Sequence, residues 1–149
     1  QFGINGVRKI FNEKKRPLML SVPKPKVGMT TAEHANIGWQ IWTGGLDLLK
    51  DDENLTNQSF NPFERRVLAS LKLRDKAEKV TGDIKSYLIN VTAPTVQEME
   101  KRAKFVAKQG GDVAGNARKE AEQKIGKPIT TKENYLKEPE KEKRRQLKK

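Results

Sequence analysis

The 149-residue sequence contains no cysteine and a single histidine, and only 6% of its residues are aromatic. Without cysteine there are no disulfide bonds and no thiolate metal sites, which is compatible with a reducing compartment. The one histidine, His34, has no second imidazole with which to complete a typical zinc site. We therefore predict no metal site and no bound cofactor.

Long hydrophobic runs are also missing. The longest one near the N terminus, residues 18–22, is too short for the core of a signal peptide or for a membrane span. Hydrophobic residues make up 34% of the chain and the mean hydropathy is -0.83, so we expect part of the chain to be extended or to order only on a partner. We predict a protein without a transmembrane segment in the cytoplasm, associated with the nucleoid or with a ribonucleoprotein, or in an organellar matrix if Gln1 is a processed end.

Motifs typical of enzymes are scarce as well. The glycines of "GGDVAG" (residues 110–115) do not have the spacing of a phosphate-binding loop. The acidic group Asp47, Asp51, Asp52 and Glu53 could in principle bind Mg²⁺, but no base or lysine is placed to assist, so we favour a solvated turn after a helix. The sequence therefore predicts a protein that is not an enzyme and has no catalytic residue.

Signals for helix starts recur along the chain. The threonine–glutamate spacing of a capping box, in which each side chain satisfies a backbone N–H of the other residue, occurs at residues 30–33, 95–98 and 130–133. Asn61 before a proline predicts another helix start. Apolar residues recur every three or four positions after these signals, and no segment alternates with period two for long enough to indicate a strand. The predicted fold class is all-α, a small irregular bundle of four or five helices.

The two tryptophans are predicted to belong to the core. Trp39 and Trp42 lie on one helix face with Leu46 and Leu49, which favours packing over stacking on nucleic-acid bases. The glycines at residues 44–45 then predict a kink or the end of this helix.

A second glycine pair falls later in the chain. Gly110 and Gly111 are predicted to end a helix, and Asp112 is predicted to cap the next one. The next helix has a narrow face of small residues, which would suit a homodimer as well as an internal contact: Ala114, Ala117 and Ala121.

Charge is the strongest compositional signal. The formal net charge is +12, of which residues 1–29 contribute +6 and residues 101–149 contribute +9. This balance attracts polyanions, with nucleic acid as the first expectation. We predict an extended basic arm at residues 1–29, a helical domain at 30–136 and a basic tail at 137–149. The side chains predicted to contact phosphates are cations of the arm, of the last helix and of the tail: Arg8, Lys9, Lys14, Lys15, Arg16, Lys24, Lys26, Arg118, Lys119, Lys141, Lys143, Arg144, Arg145, Lys148 and Lys149.

Residues 107–136, "AKQGGDVAGNARKEAEQKIGKPITTKENYL", resemble the C-terminal region of DNA-damage-inducible protein D and of phage proteins that carry a BRO-type antirepressor domain. The likeness lies in the Gly-Gly pair, followed by "AGNARKE", "GKP" and T-x-E-N. It implies a DNA-associated regulatory role linked to stress or to phage. It implies no catalytic residue, and the aromatic-rich N-terminal domain of that family is not visible in this sequence.

Two other classes remain open. Basic arms around a small helical centre are also typical of a structural subunit of a ribonucleoprotein, where the arms thread between RNA helices. Basic helices bind anionic membrane surfaces too, although the tail lacks the apolar face that this mode requires. Protein partners in a larger assembly and a homo-oligomer are compatible with each of these classes.

Overall fold

The chain alternates between helices and short strands. The computed structural model describes residues 3–125, of which residues 112–125 are described as backbone. The elements, in chain order, are α1 (Gly3–Ile10), β1 (Leu20–Ser21), α2 (Thr31–Thr43), β2 (Leu48–Lys50), α3 (Phe63–Thr81), β3 (Ser86–Leu88) and α4 (Val96–Ile125). By its internal contacts the described chain divides into two units, with the boundary after Val106.

The three strands form one parallel sheet in the order β1-β2-β3. Leu20 pairs with Leu48, and Leu49 pairs with Tyr87, so strand β2 lies in the middle. Parallel neighbours need a long crossover, and here each crossover contains a helix, α2 and then α3. The two helices pack against each other, and each contacts the strand that follows it. They therefore cover the same face of the sheet.

Helices α2 and α3 begin and end at residues whose chemistry explains these limits. The predicted capping box of α2 is confirmed: the Glu33 N–H donates to Thr30 Oγ1, and the Thr30 N–H donates to Glu33 Oε2. Helix α3 starts one residue later than Asn61 would set it, and the Phe63 N–H donates to Asn57 Oδ1 at 2.8 Å. Gly82 ends α3 with φ 75°, in the left-handed region that favours glycine.

The core lies between the sheet and the two helices. Trp42 is fully buried, as predicted, and its indole N–H donates to the Ser86 carbonyl at 3.1 Å. Trp39 is half-buried against this core and lies under the Lys76 ammonium, 4.9 Å from the ring centroid. The buried core residues come from every element between α2 and β3: Trp42, Leu49, Phe63, Val67, Leu71, Ala77 and Tyr87. Full burial of a valine, leucine or phenylalanine side chain contributes about 1.5–3 kcal/mol.

The prediction of an all-α bundle was wrong, because three parallel strands connect the helices. Strands of two or three residues are too short to show the alternation of apolar and polar residues on which a strand prediction rests. The prediction that residues 1–29 form an extended arm was also wrong, since this segment contains helix α1 and strand β1. The predicted division at residues 29 and 136 stays a prediction.

The later helix signals also had a different outcome. Gly110 and Gly111 lie inside α4, which continues to Ile125, so neither the predicted helix end there nor the new start at Asp112 occurs. The small side chains at Ala114, Ala117 and Ala121 and the signal at residues 130–133 lie outside what the structure describes. Among the described helices, none combines the length and the apolar character required of a membrane span.

Gly38 provides a test of the packing between α2 and the sheet. A Cβ atom at this position would lie 2.9 Å from Leu49 Cδ2 and 3.2 Å from Trp42 Cζ3, and both side chains are fully buried. Alanine favours a helix by about 1 kcal/mol over glycine, yet overpacking a core costs about 1–3 kcal/mol. We expect Gly38→Ala to lower the free energy of unfolding in urea denaturation by up to about 2 kcal/mol, because the cost of overpacking exceeds the gain in helix propensity.

The matched control is Asn36→Ala, two residues earlier on the exposed side of α2. It gains helix propensity without a contact, so its free energy of unfolding should rise by a few tenths to about 0.5 kcal/mol. A Gly38→Ala protein more stable than the parent would contradict the tight packing of α2 on β2.

Candidate active site at the carboxyl ends of the strands

Polar side chains follow each of the three strands. Lys24 and Lys26 come after β1, Lys50 ends β2 with Asp51–Glu53 (residues 51–53) directly after it, and Asn90 comes after β3. The carboxyl ends of parallel strands meet at one edge of a sheet, so these residues gather along that edge. In parallel α/β proteins this edge is where ligands and catalytic residues lie.

Lys24 and Asp52 join the β1 and β2 ends of this edge. The Lys24 ammonium donates to Asp52 Oδ2 at 2.5 Å, and the Asn54 N–H donates to Asp52 Oδ1 at 3.1 Å. The lysine is exposed, whereas the aspartate residue is only 5% exposed. The hydrogen bond from Lys24 first, and that from the Asn54 backbone second, lower the pKa of Asp52 to about 2. The carboxylate is therefore ionised throughout the physiological range.

Lys50 and Glu53 form a second pair beside the first. The Lys50 ammonium donates to Glu53 Oε1 and, at 3.1 Å, to the Asp51 carbonyl. The hydrogen bond from Lys50 lowers the pKa of Glu53. Asp52 and Glu53 carry oxygen atoms of the kind that hard cations prefer, and each is paired with a lysine. Within the part of the chain that the structure describes, no group of three or more acidic, histidine or cysteine side chains is arranged to hold a metal ion.

Beneath this edge lies a buried polar cluster around Asp51. The Tyr87 hydroxyl donates to Asp51 Oδ1 at 2.5 Å, and the Asn90 N–H donates to Asp51 Oδ2 at 3.1 Å. Arg66 Nε lies 3.5 Å from Asp51 Oδ2, and His34 Nε2 lies 3.4 Å from both Asp51 Oδ1 and the tyrosine oxygen. Burial, and then the negative charge of Asp51, raise the pKa of Tyr87 well above its usual value.

Asp47 lies at the opposite end of β2. Arg16 donates two hydrogen bonds to its carboxylate, both at 2.7 Å, and the Met19 N–H adds a third at 2.8 Å. The hydrogen bond from Arg16 lowers the pKa of Asp47 against the opposing effect of burial. The acidic group therefore divides between the two ends of one strand, and the solvated turn predicted for it was wrong.

The cations predicted to contact phosphates have several different positions. Arg16 pairs with Asp47 and Lys24 with Asp52, while the Arg8 guanidinium donates to the Arg16 carbonyl at 3.1 Å. The remaining cations of the predicted arm are exposed: Lys9, Lys14, Lys15 and Lys26. Of Arg118 and Lys119 the structure describes only the backbone, which lies in α4. The other predicted cations lie outside the described residues: Lys141, Lys143, Arg144, Arg145, Lys148 and Lys149.

Parallel strands in sequential order, helices on the crossovers and charged residues along the carboxyl edge are typical of the β-α units of an α/β protein. Comparison with known proteins specifies the family. Residues 3–131 match the family model of the ribulose bisphosphate carboxylase large chain, catalytic domain. This match covers most of the sequence, and the chain belongs to that family.

Individual relatives agree with the family assignment. The chain is 52% identical to a ribulose bisphosphate carboxylase of Pyrococcus abyssi over 111 residues, which are 74% of this chain and 26% of the relative. Among solved structures, the octameric enzyme of Pyrococcus horikoshii matches with a TM-score of 0.70 and 52% identity, again over 74% of this chain and 26% of the other. The dimeric archaeal Rubisco of Hyperthermus butylicus matches with a TM-score of 0.69 and 51% identity over the same shares. The chain thus spans about a quarter of the length of these relatives.

These matches overturn the functional predictions made from the sequence. The relatives are carboxylases, so the prediction of a non-enzymatic protein was wrong, and so were the nucleic-acid, ribonucleoprotein and membrane-surface alternatives. The resemblance of residues 107–136 to DNA-damage-inducible protein D and BRO-type proteins was wrong, because the family model of the ribulose bisphosphate carboxylase large chain matches residues 3–131 and includes most of that segment. The nucleoid or ribonucleoprotein association finds no support, and the cytoplasmic location stays a prediction.

A usable signal was present in the sequence. Short, largely apolar segments at residues 18–22, 48–49 and 87–89 are each followed within a few residues by charged or amide side chains, and helical patterns separate them. This repetition is typical of β-α units with polar residues at the strand ends. Residues 18–22 were assigned to the extended arm and the other two segments to helices, so the residues after them were not grouped.

The Lys24–Asp52 pair gives a prediction about pH. A carboxylate with a lowered pKa stabilises the fold above its unfolded pKa of about 3.9, and this contribution is lost as the pH falls through the folded value of about 2. We expect Lys24→Met to raise the pKa of Asp52 toward its usual value and to weaken the loss of stability between pH 4 and pH 2. The measurement is an NMR titration of the Asp52 carboxyl carbon.

Lys104→Met is the matched control, since Lys104 pairs with Glu100 at 3.5 Å on the exposed side of α4. The Asp52 titration should be the same in this control as in the parent. An Asp52 pKa that does not change in Lys24→Met would show that the ion pair is absent in solution.

Proposed function

We propose that the protein containing this chain is a ribulose bisphosphate carboxylase, and that the chain supplies three neighbouring strands and their loops to the active site. The observation that carries the proposal is the charged edge formed by Lys24, Lys50, Asp52 and Glu53. It lies at the carboxyl ends of parallel strands, in a segment about half identical to archaeal carboxylases. The family assignment supports the fold of the segment that forms this edge, and the charged side chains of the edge support the proposed carboxylation.

Carboxylation of a sugar bisphosphate has two requirements, and these side chains can meet the second. A proton must leave the carbon next to the carbonyl group, and the negative charge that develops on oxygen must be stabilised before CO₂ adds. The exposed ammonium of Lys24 and the half-buried ammonium of Lys50 can stabilise a developing oxyanion. The ionised carboxylates of Asp52 and Glu53 can orient these ammonium groups.

The positive charge near the strand ends also fits such a substrate. A bisphosphate carries several negative charges, and cations that line one edge of a sheet raise its local concentration. Lys24 and Lys26 follow β1 and are exposed. We assign part of the basic excess to this substrate.

Homo-oligomerisation belongs to the same proposal. The Hyperthermus butylicus relative is described as dimeric and the Pyrococcus horikoshii relative as octameric. We propose that this protein likewise assembles from identical subunits, which agrees with the homo-oligomer considered from its sequence.

A hybrid enzyme tests the proposal. Residues 3–106 of this chain replace the matching segment of the Pyrococcus horikoshii enzyme, and fixation of labelled CO₂ that depends on ribulose bisphosphate is measured. We expect the hybrid enzyme to be active. Lys24→Met and Asp52→Asn should each lower kcat by about 100-fold or more, because the first removes an ammonium that can stabilise the oxyanion and the second removes the carboxylate that orients it.

Lys104→Met and Glu100→Gln are the matched controls, because they make the same chemical changes in a lysine–carboxylate pair on the exposed side of α4. Both should retain the activity of the hybrid enzyme. A hybrid that is folded and assembled but fixes no CO₂, beside an active parent, would refute the proposal.

A further inference from the structure

The loop between β2 and α3 carries Asp52 and Glu53, and its backbone is held from the side by one amide group. Asn90 Nδ2 donates to the carbonyl oxygens of Glu53 at 2.9 Å, Asp52 at 3.3 Å and Leu55 at 3.4 Å. These are the carbonyls of the two acidic residues themselves and of a residue two positions later. A single side chain that follows β3 therefore contacts the part of the loop that carries both carboxylates.

The Asn90 side chain is itself fixed in orientation. Its Oδ1 accepts from the Thr92 N–H at 3.0 Å, and its own backbone N–H donates to Asp51 Oδ2 at 3.1 Å. Exchanging the oxygen and nitrogen of the carboxamide would direct an oxygen at three carbonyls and an NH₂ at an N–H donor. Only one orientation of the amide satisfies its surroundings.

Arg66 holds the same loop from the core. Its guanidinium donates to the carbonyl oxygens of Thr56 at 2.9 Å, Leu55 at 3.3 Å and Asn61 at 3.1 Å. Arg66 is fully buried, and its Nε faces Asp51, the same carboxylate that accepts from the Asn90 backbone. Both residues that hold the loop, Asn90 and Arg66, therefore also contact the buried carboxylate of Asp51.

We propose that Asn90 is a positioning residue, which holds the Asp52–Glu53 backbone (residues 52–53) so that both carboxylates face the lysines of the active-site edge. This inference rests on the proposed function, because the edge is the site of carboxylation only if that proposal holds. Asn90 acts through the loop and not on the substrate. Partners in this second layer typically change activity by tenfold to a hundredfold when they are removed.

Asn90→Asp in the hybrid enzyme is the primary test. The variant keeps the size of the side chain and the acceptor for Thr92, and it replaces the NH₂ donor by an oxygen that faces three carbonyls. We expect kcat to fall by about tenfold to a hundredfold with a smaller change in the KM for ribulose bisphosphate. We also expect faster hydrogen exchange at the amides of residues 53–56, while those of Val67 and Leu71 in the core of α3 keep their rates.

Two further variants complete the experiment. Asn36→Asp makes the same chemical change on the exposed side of α2 and should alter neither kcat nor the exchange of the loop. Asn90→Ser keeps one hydroxyl donor, so its kcat should lie between the parent and Asn90→Asp. It also carries the test if the aspartate variant does not fold.

The outcomes separate the two proposals. An active hybrid whose kcat is unchanged in Asn90→Asp, or whose loop and core amides accelerate equally, would refute the positioning role alone. If the hybrid enzyme without further substitutions is inactive, the proposed function is refuted. Hydrogen exchange at the amides of residues 53–56 would still report whether Asn90 holds the loop.

Discussion

The buried carboxylate of Asp51 requires hydrogen-bonding and charged partners, and the arrangement of the other elements depends on these contacts. Asp51 is 1% exposed and directly follows the central strand. Its partners come from three other elements or their ends: Tyr87 from β3, Arg66 from α3 and His34 from α2. A buried charge is costly unless it is paired, and removing one partner of such a pair costs about 3–5 kcal/mol. The cluster therefore restricts how α2, α3 and β3 can be placed around β2.

A second ionic contact restricts the other end of the same strand. Asp47 accepts two hydrogen bonds from Arg16 and one from the Met19 N–H, so the segment leading into β1 is fixed beside the start of β2. With only two or three residues in each strand, the backbone ladder supplies few hydrogen bonds of its own. Charged contacts before and after β2 add to the ladder in setting the register, which explains why so polar a sequence forms a parallel sheet.

The sequence was sufficient for features that depend on near neighbours. The capping box of α2, the burial of Trp42 and the helix that begins near Pro62 follow from residues within a few positions of one another. The strands could not be predicted in this way, since two or three residues carry no period. Nor could the ion pairs of the acidic residues, because their partners are distant in sequence: Arg16 and Asp47 are 31 positions apart, and Lys24 and Asp52 are 28 positions apart. Counting cations showed an excess of positive charge without showing which of them neutralise acids of the same chain.

The carboxyl edge of the sheet combines two kinds of charged contact with different energetic consequences. In the Lys24–Asp52 and Lys50–Glu53 pairs one partner is largely exposed, so water screens the attraction and an incoming anion can exchange with it at little cost. The Asp51 cluster below has no such freedom, because both Asp51 and Arg66 are excluded from water. Asn90 links the layers, since it donates to the loop above and to Asp51 below. The Asp51 cluster is rigid, and the lysine–carboxylate pairs above it can exchange partners. The site can therefore accept a ligand without a change in the backbone that carries Asp52 and Glu53.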